Sequence, residues 1–209
     1  MVQKITIILY MKTFKEYIFE KLKVSVRNTT KHTLFPKTKD ELKQMIEDEI
    51  SKKGNECSLN HINVSKITDM SELFFGSKFN GDISNWDVSN VTDMGSMFYN
   101  SKFNGDISDW DVSSVENMEE MFSYSNFTGD ISNWDVSNVT DMEGMFSDSA
   151  FNGDISNWDV SKVESMDGMF FYSKFDGDIS DWNVSRLKSM GDIFKLSPLA
   201  NNPPKWYKK

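Results

Sequence analysis

The chain has 209 residues, of which 38% are hydrophobic and 13% aromatic, with 13 Met, a content of large apolar groups that argues against a disordered polypeptide. Its net charge of -9 is unevenly spread: residues 1–39 hold nine Lys/Arg against Glu16 and Glu20 (+7), residues 79–194 hold five against 22 Asp/Glu (-17), and residues 195–209 add +4. A body this acidic repels phosphates and excludes nucleic acid as its partner, and the single Cys57 excludes an intrachain disulfide framework or a Cys-based zinc site.

In chain order, an apolar run from Ile5 to Met11 comes first, behind Lys4; it is short for a signal core, and neither a small-residue cleavage site nor a lipid-attachment cysteine comes after it. Lys12 to Val24 reads as an amphipathic helix, with Phe14, Tyr17, Ile18 and Leu22 on one face and Lys12, Lys15, Glu16, Glu20 and Lys23 elsewhere. Residues 1–33 are thus an amphipathic leader segment, and residues 12–24 are the one place where membrane contact is expected. No stretch approaches the roughly 18–20 apolar residues of a membrane-spanning helix.

Residues 34–57 are predicted to form a capping helix. Thr38 and Glu41 make a capping box, Leu42, Met45, Ile46 and Ile50 share a face, and Gly54 stops the helix. Its apolar stripe is suited to cover the end of the region from residue 58 onward.

That region is periodic. Phe79, Phe103, Phe127, Phe151 and Phe175 fall 24 residues apart, each opening the block F-x-G-D-I-S-x-W-x-V-S-x-(V/L)-x-x-M-x-x-(M/I)-F-x-x-S. A degenerate copy runs from Leu59 to Ser77, so residues 58–198 hold one degenerate and five full repeats, and residues 199–209 a C-terminal cap or tail in which Trp206 and Tyr207 fold back over the last turn. A period in this range marks a repeat solenoid, whose units bury their apolar faces only by stacking. Within a unit, Ile83, Trp86 and Val88 suit a short parallel strand, whereas Met94, Met97 and Phe98 suit a short helical turn that Thr92 can cap. Asn80-Gly81-Asp82 is a turn signal in which Gly supplies a positive φ. Stacking places Trp86, Trp110, Trp134, Trp158 and Trp182 in one buried column.

These residues carry no catalytic pattern. His32 and His61 lie outside the five full repeats, no Ser-His-Asp, Cys-His or His-x-x-x-His arrangement exists, and the carboxylates recur in columns instead of forming one singular pair in a cleft. A non-enzymatic protein with no cofactor is therefore expected. One column, Asp87, Asp111, Asp135 and Asp159, occupies the outward position between Trp and Val, and with Asn85 forms a candidate binding face for a cationic or hydroxyl-rich protein or glycan. A second column, Asp82, Asp106, Asp130, Asp154 and Asp178, comes directly after the turn Gly. Neighbouring carboxylates repel, so each must accept hydrogen bonds from nearby Ser such as Ser84 and Ser89, or bridge Ca²⁺. Irregular aromatics, Phe75, Tyr99, Tyr124, Phe171 and Tyr172, form either a contact patch or groove filling.

The wording F-N-G-D-I-S-N-W-D-V-S-N-V-T-D-M-x-x-M-F, repeated from Leu59 to Ser197, resembles the repeat of the BspA-like leucine-rich-repeat surface proteins, the mycoplasma-type repeat of unknown function; the flanks Phe35 to Leu42 and Pro204 to Tyr207 resemble that family's caps. The resemblance implies a leucine-rich-repeat-like solenoid, a cell-surface location and an interaction or adhesion role, with no catalytic residues. The expected function is a monomeric binding scaffold for a protein or glycan. A structural component of a viral particle or envelope and a calcium-dependent binding module are the alternatives.

Overall fold

The computed structural model describes residues 31–208. The chain divides into two compact units, Met1–His32 and Thr33–Lys209. The leader helix expected over residues 12–24 lies outside the described residues.

The second unit begins with the predicted helix, α1 (Lys39–Lys53). Thr38 Oγ1 accepts from Glu41 N at 3.2 Å, while Glu41 Oε2 accepts from Lys37 N at 2.7 Å, one residue ahead of the expected capping box. Asp40 and Glu41 in the first turn and Lys52 and Lys53 in the last complement the helix dipole. Gly54, at φ 85°, donates to Ile50 O and ends the helix. Leu42 and Ile46 are buried in one apolar cluster with Leu59 and Ile62, and Lys39 Nζ bonds Asp69 Oδ1 and Ser71 Oγ, so α1 is fastened to the first repeat.

Beyond α1 the expected architecture is overturned. Among the described residues there is no strand, and the only other helical piece is the 3₁₀ turn Pro198–Ala200. The repeats are therefore not a leucine-rich-repeat-like solenoid of short parallel strands and short helical turns. In the segment read as a strand, Trp86 N donates to Ile83 O (3.1 Å) and Val91 N to Val88 O (2.9 Å), which makes two tight turns of it. The parallel pairing shrinks to isolated bridges, and the recurring one, from Asp69↔Asp93 to Ser165↔Ser189, falls just before the first Met of the block.

The segment read as a helical turn fails for a different reason. Met97, Tyr99 and Ser101 donate three residues back, to Met94, Ser96 and Phe98 carbonyls at 3.1 Å each. The alternating donors Met94, Ser96, Phe98 and Asn100 leave the unit for the carbonyls of Asn117, Glu119, Met121 and Ser123, at 3.0, 2.7, 3.0 and 2.8 Å. φ is positive at Ser96 (54°) and Asn100 (50°) and at the matching residues of every unit, which interrupts a right-handed helix every fourth residue. Half of the amides thus close turns within a unit and half tie it to the next, giving a stack of loops in which each layer satisfies the backbone of its neighbour.

Side chains keep the same 24-residue step. Trp86, Trp110, Trp134, Trp158 and Trp182 are 4–5% exposed, and the rings of Trp86 and Trp110 lie 6.5 Å apart and nearly parallel. Each indole Nε1 donates to the carbonyl of the preceding unit, as Trp110 does to Ile83 O (3.2 Å), so the column buries its polar atom with a partner. The column runs one step further than the five expected rings. Trp206, 24 residues after Trp182, stacks on Trp182 at 6.5 Å and donates to Ile179 O at 2.8 Å. Two Phe columns interleave beside it, with Phe98 and Phe103 at 4.4 Å and Phe122 and Phe127 at 4.3 Å. The glycine of each F-x-G-D is explained by that packing and not by a positive φ: a Cβ on Gly129 would sit 2.7 Å from the Phe127 ring, and one on Gly81 would sit 2.0 Å from Cys57 O.

Candidate functional site

The two Asp columns lie on exposed turns, and each carboxylate is partnered locally. Asp87 Oδ1 accepts from Ser89 N (3.3 Å) and Ser89 Oγ (2.6 Å), and Asp111 Oδ1 likewise from Ser113 (3.1 and 2.6 Å). Asp135 and Asp159 accept from Ser137 N and Ser161 N, both at 3.0 Å. In the second column Asp82, Asp106, Asp130, Asp154 and Asp178 accept from the Ser two residues on, at 2.9–3.0 Å from the backbone N–H. Burial raises the Asp82 carboxyl, yet bonds from Ser84, Asn60 and Ser58 hold it below the ordinary range; the backbone and hydroxyl of Ser132, Ser156 and Ser180 do the same for Asp130, Asp154 and Asp178. Asn85, half-buried, is engaged within the stack, where its N–H donates to Asn60 Oδ1 at 2.9 Å. Among the described residues no three His, Cys, Asp or Glu side chains converge where they could hold a metal ion.

The aromatic residues behave differently. Phe75 and Tyr99 stack at 4.7 Å, and Tyr99 meets Tyr124 at 5.4 Å, forming one stripe across three units in which Phe75 is 54% and Tyr124 49% exposed. Phe171 and Tyr172 lie two units further on; Lys195 Nζ sits 5.8 Å from the Phe171 ring, and Tyr172 is exposed. Tyr124 and Tyr172 hold φ of 55° and 54°, in the left-handed region that bulky residues rarely adopt. The matching residues of other units are Gly76, Asn100 and Asp148, the types that tolerate it, and Leu196, which does not.

Carboxylates crowd around Glu120, whose charge reaches Tyr99 of this stripe. Burial first, and then the charges of Asp141, Glu143, Glu120 and Asp93, push the Glu119 carboxyl up. Glu143 is raised by burial and by Asp141, Asp167 and Glu120, and Glu120 and Tyr124 help burial raise the Tyr99 phenol. Among the described residues every ion pair lies toward one end of the stack: Lys39–Asp69, Lys53–Glu49 and His61–Glu49 at the first, Lys188–Glu164 and Lys195–Asp192 at the last. Among the described residues no ion pair lies in the acidic middle, where Lys162 bonds Asn138 and not a carboxylate. Sequence reasoning singled out Tyr99 and Tyr124 but not Glu119, Glu120 and Glu143; Glu119, Glu143 and Asp167 keep the 24-residue step over three units only, with Gly95 and Gly191 at the same position in the units on either side, so the uneven acid count of the Met-x-x-Met segment was the available signal.

The family described as Mycoplasma protein of unknown function, DUF285, matches over residues 40–126 and 101–206, which together take in α1, the repeats and Trp206. The chain belongs to this family. Its match supplies kinship without an activity, so the chemistry must come from the residues. No curated protein and no solved structure matches the chain.

Proposed function

We propose that this DUF285 member is a non-catalytic binding scaffold whose contact surface is the stripe Phe75–Tyr99–Tyr124 with its flanking Glu119, Glu120 and Glu143, and whose partner is a cationic segment of another protein. The observation that carries this reading is the coincidence of a run of ring contacts, exposed at Phe75 and Tyr124, with crowded carboxylates that form no ion pair among the described residues. A Lys- or Arg-rich segment gains twice there, from the ring edges and faces left to solvent and from carboxylates whose repulsion it relieves. The Asp columns supply rigid polar turns, since their oxygens already accept from the backbone and hydroxyl of the Ser two residues on. The likeness of the repeat wording to that of the BspA-like surface proteins supports a cell-surface setting for the scaffold.

Titration calorimetry with a short Arg/Lys peptide tests the reading. Binding is expected to weaken with added salt, to fall about tenfold in Tyr99→Ala or Glu119→Gln/Glu143→Gln, and to survive Asp111→Asn/Asp135→Asn. Loss of binding in the Asp111/Asp135 pair alone would move the site to the Asp column. Binding of a neutral oligosaccharide that depends on Tyr99 but not on Glu119 or Glu143 would make the partner a glycan.

A further inference from the structure

Every boundary between units repeats one set of four backbone bonds. At the first, Met70, Glu72, Phe74 and Gly76 N–H donate to the carbonyls of Asp93, Gly95, Met97 and Tyr99 at 2.8, 2.9, 2.9 and 2.8 Å; at the last, Met166, Gly168, Phe170 and Tyr172 donate to Ser189, Gly191, Ile193 and Lys195 at 2.9, 2.7, 2.9 and 2.9 Å. The equivalent donors of the final turn are Met190, Asp192, Phe194 and Leu196, and among the described residues none of these four N–H groups has an acceptor. The Trp column continues to Trp206, but nothing among the described residues continues this turn.

The apolar side of the same edge is also unfinished. Val160, Val163 and Met166 are at most 1% exposed, whereas their equivalents Val184, Leu187 and Met190 are only partly buried. The edge differs from the rest of the stack in charge as well: residues 184–196 carry Arg186, Lys188 and Lys195 against Asp192, a balance of +2.

We propose that this edge is the docking site of an acidic segment of another polypeptide, which runs parallel to residues 190–196, offers four alternate carbonyls to the free N–H groups and so completes one further turn. Parallel direction is dictated by the boundaries already present, all of which pair in parallel. A free row of backbone donors beside partly exposed apolar groups is a template for an added chain. The acidic character comes from the 24-residue step: side chains at matching positions of adjacent units meet, as Lys188 Nζ meets Glu164 Oε2 at 2.5 Å and Lys162 Nζ meets Asn138 Oδ1 at 2.6 Å. The residues laid over Arg186 and Lys188 must therefore tolerate cations. A second copy of this chain is the less suitable occupant. Its own matching carbonyls, on Asp69, Ser71, Leu73 and Phe75, accept no backbone bond among the described residues but lie at the end where α1 is fastened, and Lys43, Ile46, Glu47 and Ile50 of α1 overhang that turn across a groove of about 280 Å³.

The probe is the blocked peptide of residues 111–126, which carries Asp111, Glu116, Glu119 and Glu120 and no Lys or Arg, and whose Glu116 stands at the position matching Lys188; its segment 117–123 accepts this set of bonds inside the stack. In the full chain, the amides of Met190, Asp192, Phe194 and Leu196 are expected to exchange faster than those of Met166, Gly168, Phe170 and Tyr172. Millimolar peptide should shift those four amide resonances and slow their exchange about tenfold or more, while a scrambled peptide of the same composition should not. Arg186→Gln/Lys188→Gln should weaken the peptide about tenfold with the thermal midpoint little changed, since the exposed Lys188–Glu164 pair adds little to stability. The proposal is overturned if the four amides do not respond, or if the scrambled peptide acts equally and charge alone is at work. It is also overturned if the amides are already protected in a concentration-dependent oligomer, which would make a second copy the occupant.

Discussion

The two ends of the stack are closed by different means. At the first, α1 satisfies its own backbone and lays Leu42 and Ile46, 0% and 3% exposed, over the first turn, with Lys39 tied to Asp69 and Ser71. At the last, Trp206 and Tyr207 bring two rings, Trp206 onto Trp182 and Tyr207 against Phe194 at 5.1 Å, and leave Leu187, Met190 and Leu196 partly open. The same position is Gly76 at φ 62° in the first turn and Leu196 at φ 63° in the last. A helix covers apolar surface thoroughly because it asks nothing of the layer beneath it. An aromatic tail extends one side-chain column but not the backbone row, so the two ladders of the stack stop at different places.

That contrast makes the first end the costlier one to damage. Leu42→Ala should lower unfolding free energy by about 2–5 kcal/mol, the range for emptying a filled apolar site, read by urea denaturation. Trp206→Ala should cost about 1–3 kcal/mol, since its ring is half-buried but also loses the bond to Ile179 O. A Trp206 effect equal to or larger than that of Leu42 would erase the distinction between the ends.

A smaller effect has the opposite sign. Leu196→Gly should raise stability by about 1 kcal/mol, because the left-handed backbone penalises a side chain there, and calorimetric melting reads it. No gain would mean that Leu196 packs against something that repays its strain, which would make the last end more closed than its exposure suggests.

The middle of the stack serves as the control for both ends, and its test is pH. Glu119 and Glu143 have folded values raised above the ordinary 4.5, so the folded chain binds their protons more tightly and stability falls as pH rises through the raised values. Glu119→Gln/Glu143→Gln should therefore melt slightly higher than the parent at neutral pH, with the gain shrinking as pH falls toward 4.5. A gain that persists below that value would show that it comes from packing and not from charge.

Much of this was legible in the residues. The period, the buried Trp and Phe columns, the Thr38 cap and the Gly54 stop of α1 are written in spacing and residue type, because each depends on local geometry or on a step of 24 that any layer repeats. Trp206 keeps the same step and was legible too, though Pro198, Pro203 and Pro204 mark the region as a tail. Tyr99 and Tyr124 stood out as aromatics in polar positions, but their junction with Phe75 into one stripe depended on how far one unit is displaced from the next.

Only the tertiary structure decided where the backbone hydrogen bonds go. An I-x-x-W-x-V run and an M-x-x-M-F run are compatible with a strand and a helical turn, since spacing reports which side chains face inward and not which carbonyl an amide finds. In the stack every second amide of the Met segment is claimed by the next layer, a partner that exists only once the layers are assembled. The alternate amides are left to close turns, and this division sets the positive φ at every fourth residue. The role of the F-x-G-D glycines was hidden for the same reason: the Phe ring that forbids a Cβ at Gly129 is held over it by its neighbours in the column. Composition determined which residues are inside; the stacking of one layer on another determined the conformation that brings them there.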